Sequence, residues 1–101
     1  MDVDFKRIVR ESVRGALLWT LHRARSFGAN EDTLQQVIHR SGYDMTDMDI
    51  RRELEYLELR NLIEIVRPHD SPFWWAKMKR AGVDLQEGVV PCEPGIKLMR
   101  D

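Results

Sequence analysis

The sequence predicts an α+β domain that is mainly helical. Three observations carry this. Apolar residues recur at spacings of three and four through most of the chain up to Arg60, which is helical periodicity. The pattern then changes period at Leu62-Ile63-Glu64-Ile65-Val66, a short β-branched run that reads as a strand. The chain has 101 residues, 43% of them apolar, enough for one compact core and too few for two ordinary domains.

The first helix is expected from about Asp4 to Phe27. Phe5, Ile8, Val9, Val13, Ala16, Leu17, Leu21 and Ala24 form its apolar stripe, and Arg7, Arg10, Arg14, Arg23 and Arg25 fall mostly off it. Gly28 follows, where a left-handed residue commonly ends a helix. The second helix starts after Asn30, a good N-cap, with Glu31 and Asp32 at the positive end of the helix dipole. Leu34, Val37 and Ile38 supply its buried face, and Ser41-Gly42 stops it.

A short turn, Tyr43-Asp44-Met45, leads to a third helix at Thr46. Thr46 and Asp49 resemble a capping box, with Asp in place of the preferred Glu or Gln. Ile50, Leu54 and Leu57 face the core, and Asn61 is a left-handed terminator after Arg60. The strand over 62–66, the turn Pro68-His69-Asp70-Ser71-Pro72 and the aromatic strand Phe73 to Lys79 make a hairpin. Ala81 to Glu87 reads as a turn or two of helix. Pro91, Pro94 and Gly95 mark an extended tail. The expected division is a domain over 1–88 and a tail over 89–101.

Two helices joined by about four residues form a helix-turn-helix. A hairpin directly after the second of them is the wing of a winged helix. The full expectation is therefore a winged helix-turn-helix: three helices, a two-stranded wing hairpin, a short C-terminal helix and an extended tail.

Sixteen basic and seventeen acidic residues leave a net charge of −1, which counts mildly against a dedicated nucleic-acid binder. The distribution is uneven. Residues 44–66 hold seven acidic and three basic side chains, a local charge of −4. No apolar run approaches the ~18 residues needed to cross a bilayer. The start, with Asp2 and Asp4, lacks the basic region of a secretory signal. With its single Cys92 the chain has no intramolecular disulfide and no multi-cysteine zinc site. The expectation is a soluble, cytoplasmic domain.

Several passages resemble winged-helix regulators of the ArsR and MarR type. Leu54 to Glu64 is similar to the "xxLexxGLI" passage from recognition helix to wing, and Trp75 to Asp84 to the "Y-x-L-T-x-x-G" passage that leaves the wing. A further resemblance, over most of the chain, is to small winged-helix proteins of Mu-like phages and prophages. They share a "G-x-D-x-x-x-G" stretch, here Gly82-Val83-Asp84-Leu85-Gln86-Glu87-Gly88, and a "P-G-[VI]-K" tail, here Pro94-Gly95-Ile96-Lys97. The resemblance implies a transcriptional regulator, an associational argument from fold. Two departures stand out. Met78-Lys79 replaces the usual Leu-Thr, removing a hydroxyl cap from the last helix, and helix three opens with Asp44, Asp47 and Asp49.

In a DNA reader of this kind the third helix enters the major groove. Its candidates are Thr46, Asp47, Arg51, Arg52 and Glu55. Arg51 and Arg52 fit guanine or phosphate, because a guanidinium fork matches both. They fit equally an exposed helix face with Arg51 paired to Glu55 four residues on, worth a few tenths of a kcal/mol. Asp47 fits a cytosine amine as an acceptor, but such contacts are the minority, and an Asp near a helix N-terminus is already accounted for by the dipole. From the wing, Arg67, Lys77, Lys79 and Arg80 are candidates for the DNA backbone.

Trp74 and Trp75 are adjacent, so on a strand they point to opposite faces. With Leu18 and Trp19 on the first helix they are candidates for an association surface, since tryptophan is enriched at interface anchors. Scattered His22, His39 and His69 lack metal-ligand spacing, and no nucleophile, phosphate loop or carboxylate dyad is evident. The expectation is a homodimeric, non-enzymatic binder of double-stranded DNA without cofactor or metal. The alternative is a winged helix that contacts another protein, carried by the acidic third helix and the tryptophans.

Overall fold

The computed structural model describes residues 4–100; Asp2 lies outside them. The elements are α1 (Phe5–Ala24), a single 3-10 turn (Arg25–Phe27), β1 (Ala29–Asn30), α2 (Glu31–Arg40), α3 (Asp47–Leu59), β2 (Ile63–Val66), β3 (Trp75–Met78) and α4 (Arg80–Gln86). The strands form one antiparallel sheet in the order β1-β3-β2. The class is therefore α+β and mainly helical.

Caps follow the local chemistry. Asp4 accepts from the Arg7 N–H at 3.1 Å and starts α1. Asn30 accepts from the Thr33 N–H and starts α2. Thr46 and Asp49 exchange hydrogen bonds, 3.1 and 3.0 Å, in a complete capping box. Asn61 ends α3 with φ +63°, and its side chain accepts from Lys79 Nζ. Lys79 precedes α4 without a side-chain cap, as the missing hydroxyl implies.

Helix α1 is the central element. Gly15, Ala16, Leu17 and Leu18 are all buried in succession, so the helix is covered on nearly every side. Leu18 is 0% exposed and offers nothing to a partner, which corrects its place on an association surface. The expected stripe is corrected at its start too. Phe5 and Ile8 are exposed, because the first turns project past the core. Leu34 and Ile38 from α2, Ile50, Leu54 and Leu57 from α3, and Ile63, Ile65 and Ala76 from the sheet close around α1.

Strand β1 was absent from the expected elements. Its two residues pair Ala29 with Ala76 and Asn30 with Trp75. Strand β3 begins at Trp75 rather than Phe73. The hairpin is nonetheless extended toward α2, because the Glu31 N–H donates to the Trp74 carbonyl at 2.8 Å.

The tail after α4 has no regular structure, yet it lies on the domain. The Lys97 N–H donates to the Glu11 carbonyl at 3.0 Å, Arg14 donates to the Gly95 carbonyl at 2.9 Å, and Ile96 is buried. Gly15 makes this approach possible. A Cβ there would stand 1.6 Å from the Lys97 carbonyl oxygen.

Candidate functional site

The outer side of α3 and the adjoining hairpin gather most of the candidate residues. Their centre is Trp74. It is half-buried, and its ring lies between two guanidinium groups, Arg51 at 4.4 Å and Arg67 at 4.4 Å.

Each of these arginines is held by a carboxylate. Arg51 donates to Glu31 through two bonds of 2.7 and 2.5 Å, and to the Pro72 carbonyl at 2.8 Å. Arg67 donates twice to Glu58, at 3.1 and 3.0 Å, with Glu55 3.8 Å away. Glu31 also accepts from the Trp74 N–H at 2.7 Å. One carboxylate at the start of α2 thus ties α3 to the hairpin. Arg51 pairs with Glu31 across the fold rather than with Glu55 along its own helix.

The electrostatics follow from the contacts. Burial pushes the Glu31 carboxyl up, but Arg51 and the Trp74 N–H outweigh it and leave the group below its ordinary value. The Arg67 bond lowers Glu58, and the Thr46 N–H lowers Asp49. Hydrogen bonding to Glu31 raises Arg51, and bonding to Glu58 raises Arg67.

Three of the other predicted cations also meet acceptors of the same chain. Arg52 lies 3.6 Å from Asp49, Arg80 lies 3.2 Å from Asp84, and Lys79 donates to Asn61 at 2.6 Å. Lys77 stands opposite Glu64 in the sheet register. Thr46 is occupied as the cap of α3, while Asp47 and Glu55 are exposed. The structure brings Arg51, Glu55, Arg67 and Trp74 together. Arg80 sits apart, on α4.

Where the first turn of α3 meets α2 and the hairpin, the surface forms a cleft of about 380 Å³. Glu31, Asp32, Asp47, Met48, Arg51 and Phe73 line it. Met48 is 67% exposed and Phe73 44% exposed, so apolar surface stands beside the acids. Sequence reasoning missed Glu31, Glu58 and Phe73. Glu31 carries a signal only for the helix dipole, and pairing over twenty residues leaves no periodic trace.

Trp75 turns to the other face of the sheet, and its Nε1–H donates to the Phe27 carbonyl at 2.8 Å. Trp19 lies on α1 beneath the Arg23 guanidinium at 4.3 Å. The four residues expected at one association surface are thus dispersed. A second stacked arrangement sits under the tail, where Tyr56 lies between Arg14 at 3.6 Å and Arg60 at 3.4 Å. Arg14 donates there to the buried Glu53 at 2.7 Å.

Among the described residues, no group of three metal-ligating side chains is placed to hold an ion. No described helix is long and apolar enough to cross a membrane. The chain matches no protein-family model, no curated protein and no solved structure.

Proposed function

We propose that this chain is a winged-helix domain that uses the face of α3 and the hairpin to hold a basic segment of another protein, in preference to DNA. The order helix, short strand, two helices, hairpin, with β1 on β3, supports the winged-helix reading.

One observation carries the choice of partner. The two cations at the centre of the face, Arg51 and Arg67, are each held through paired hydrogen bonds by Glu31 and Glu58. A base or phosphate would have to displace a carboxylate already in bidentate geometry. Around them, Asp32, Asp47 and Glu55 repel phosphate and attract ammonium or guanidinium. Met48 and Phe73 add apolar contact for the stem of such a side chain. A phage-type transcriptional regulator needs the opposite arrangement, with free cations on this face.

The test is fluorescence anisotropy of a labelled peptide alternating arginine and leucine, titrated with the intact chain. Binding is expected, and Asp32→Lys with Asp47→Lys is expected to weaken it by at least about tenfold. Peptide affinity unchanged by that double reversal would overturn the assignment.

A further inference from the structure

The turn between α1 and β1 holds up one aromatic side chain without covering it. Phe27 is 80% exposed, yet the backbone around it is fixed. Arg25, where the turn begins, is held at φ +59°, ψ −141°, a conformation suited to glycine. Gly28, where it ends, has φ +71°, and a Cβ there would stand 2.2 Å from the Ala76 carbonyl oxygen. The Trp75 Nε1–H donates to the Phe27 carbonyl at 2.8 Å. A strained segment held in place by its surroundings points to a use for that segment.

Beside the turn lies a cleft of about 420 Å³, where the end of α1 meets the end of β3 and α4. Half-buried Met78 and Val83 give it an apolar wall, and Ser26 of the turn itself borders it. Arg25, His22 and Glu87 stand at its rim. We propose that Phe27 anchors a two-fold contact between two copies of this chain, each ring entering the Met78–Val83 cleft of the other copy.

Three features select a second copy as the occupant. First, a closed two-fold contact uses one self-complementary patch, with knob and hole side by side and the axis between them. Phe27 and the cleft satisfy this, because Ser26 adjoins the one in sequence and borders the other.

Second, the rim is self-complementary in charge. Arg25 is exposed, and the Glu87 side chain is 48% exposed, with one oxygen 2.9 Å from His22. Opposite charges on one patch attract their counterparts across a two-fold axis, so Arg25 of each copy faces Glu87 of the other. Within one chain the two are already neighbours. The hydrogen bond to His22 is the main cause that holds the Glu87 carboxyl below its ordinary value, and the charge of Arg25 adds to it.

Third, an aromatic side chain that fills an apolar pocket is the usual anchor of a protein contact. A turn fixed beforehand has little freedom left to lose on association. The contact shares no residue with the cleft beside α3, so the two are tested separately.

The test is sedimentation equilibrium of the intact chain from micromolar to millimolar concentration. A reversible monomer–dimer equilibrium is expected. Phe27→Asp alters an exposed position, so its melting temperature at micromolar concentration should match that of the parent chain. Its dimer affinity should fall at least about thirtyfold, the loss of one anchor. Arg25→Glu should also weaken the dimer, and Arg25→Glu combined with Glu87→Arg should restore it. Val83→Arg, which fills the cleft, should leave the chain monomeric. A parent chain that stays monomeric at millimolar concentration would overturn the proposal and leave Phe27 to a different protein. So would a dimer that Phe27→Asp or Val83→Arg leaves unchanged.

Discussion

Replacing Arg51 by methionine is expected to destabilise the domain by about 3 kcal/mol. The magnitude comes from the surroundings of Glu31. Its side chain is 7% exposed, and Arg51 supplies two of its hydrogen bonds, at 2.7 and 2.5 Å. Charged hydrogen bonds contribute about 1.5–3 kcal/mol each, and stripping one partner from a buried pair costs about 3–5 kcal/mol. The Arg51 side chain is 31% exposed, which places the effect at the low end. Methionine keeps an apolar side chain of similar reach, so the loss is that of the guanidinium: its two bonds to Glu31, its bond to the Pro72 carbonyl and its place over Trp74. Urea unfolding measures it, and the melting temperature should fall by roughly 12–24 °C at about 4–8 °C per kcal/mol. A double-mutant cycle with Glu31→Ala isolates the pair. The alanine also removes the acceptor of the Trp74 N–H, but that loss is common to the single and double variants and cancels. A coupling of about 2 kcal/mol is expected, against 0.2–1 kcal/mol for exposed pairs. A coupling below about 0.5 kcal/mol would refute the clamp.

Further outcomes follow from other contacts. Glu31 has a lowered carboxyl, so its contribution is present above the unfolded value near ~4.3 and lost as pH falls through the folded one. Acid unfolding of Arg51→Met should therefore show a shallower loss of stability below about pH 5 than the parent chain. Arg67→Ala should cost no more than about 1 kcal/mol, because that side chain is 40% exposed, and urea titration checks it. Gly15→Ala, which would favour an ordinary helix by up to about 1 kcal/mol, should instead destabilise and expose the tail over 89–100 to proteolysis. Thr46→Ala should cost about 1 kcal/mol through loss of the capping box, measured by the same unfolding assay.

The sequence carried the helices and most of their ends legibly, because caps act within three or four residues; the end of α1 differs, since the helix stops at Ala24, with Arg25 at φ +59°, rather than at Phe27 before Gly28. Asn30, Thr46 with Asp49, and Asn61 all sit where their local chemistry places them. The hairpin was legible from a change of period and turn residues. Strand β1 was not, since two residues show no periodicity. Leu18 was misplaced because a helix enclosed on nearly every side has no single stripe. The docked tail depends on Gly15 meeting Lys97, a long-range steric fact.

The candidate face was legible in composition and illegible in wiring. Arg51, Arg67 and Trp74 stand out as residue types, but which carboxylates take the arginines is decided by how α2, α3 and the hairpin meet. The local excess of acid around α3 likewise looks different once folded. Arg14 from α1 answers Glu53, and Arg67 answers Glu58. Asp47 and Glu55 remain exposed on the face.

The most direct test of the central claim is anisotropy of a mixed DNA duplex titrated with the intact chain at several salt concentrations. Each phosphate contact contributes roughly −0.9 to the slope of log K against log salt. Carboxylate-held arginines on an acidic face lead to no measurable binding even at ~50 mM salt, while the arginine–leucine peptide binds under the same conditions. Duplex binding with a slope of several units, lost on Arg52→Ala, would contradict the claim and establish this face as a DNA reader.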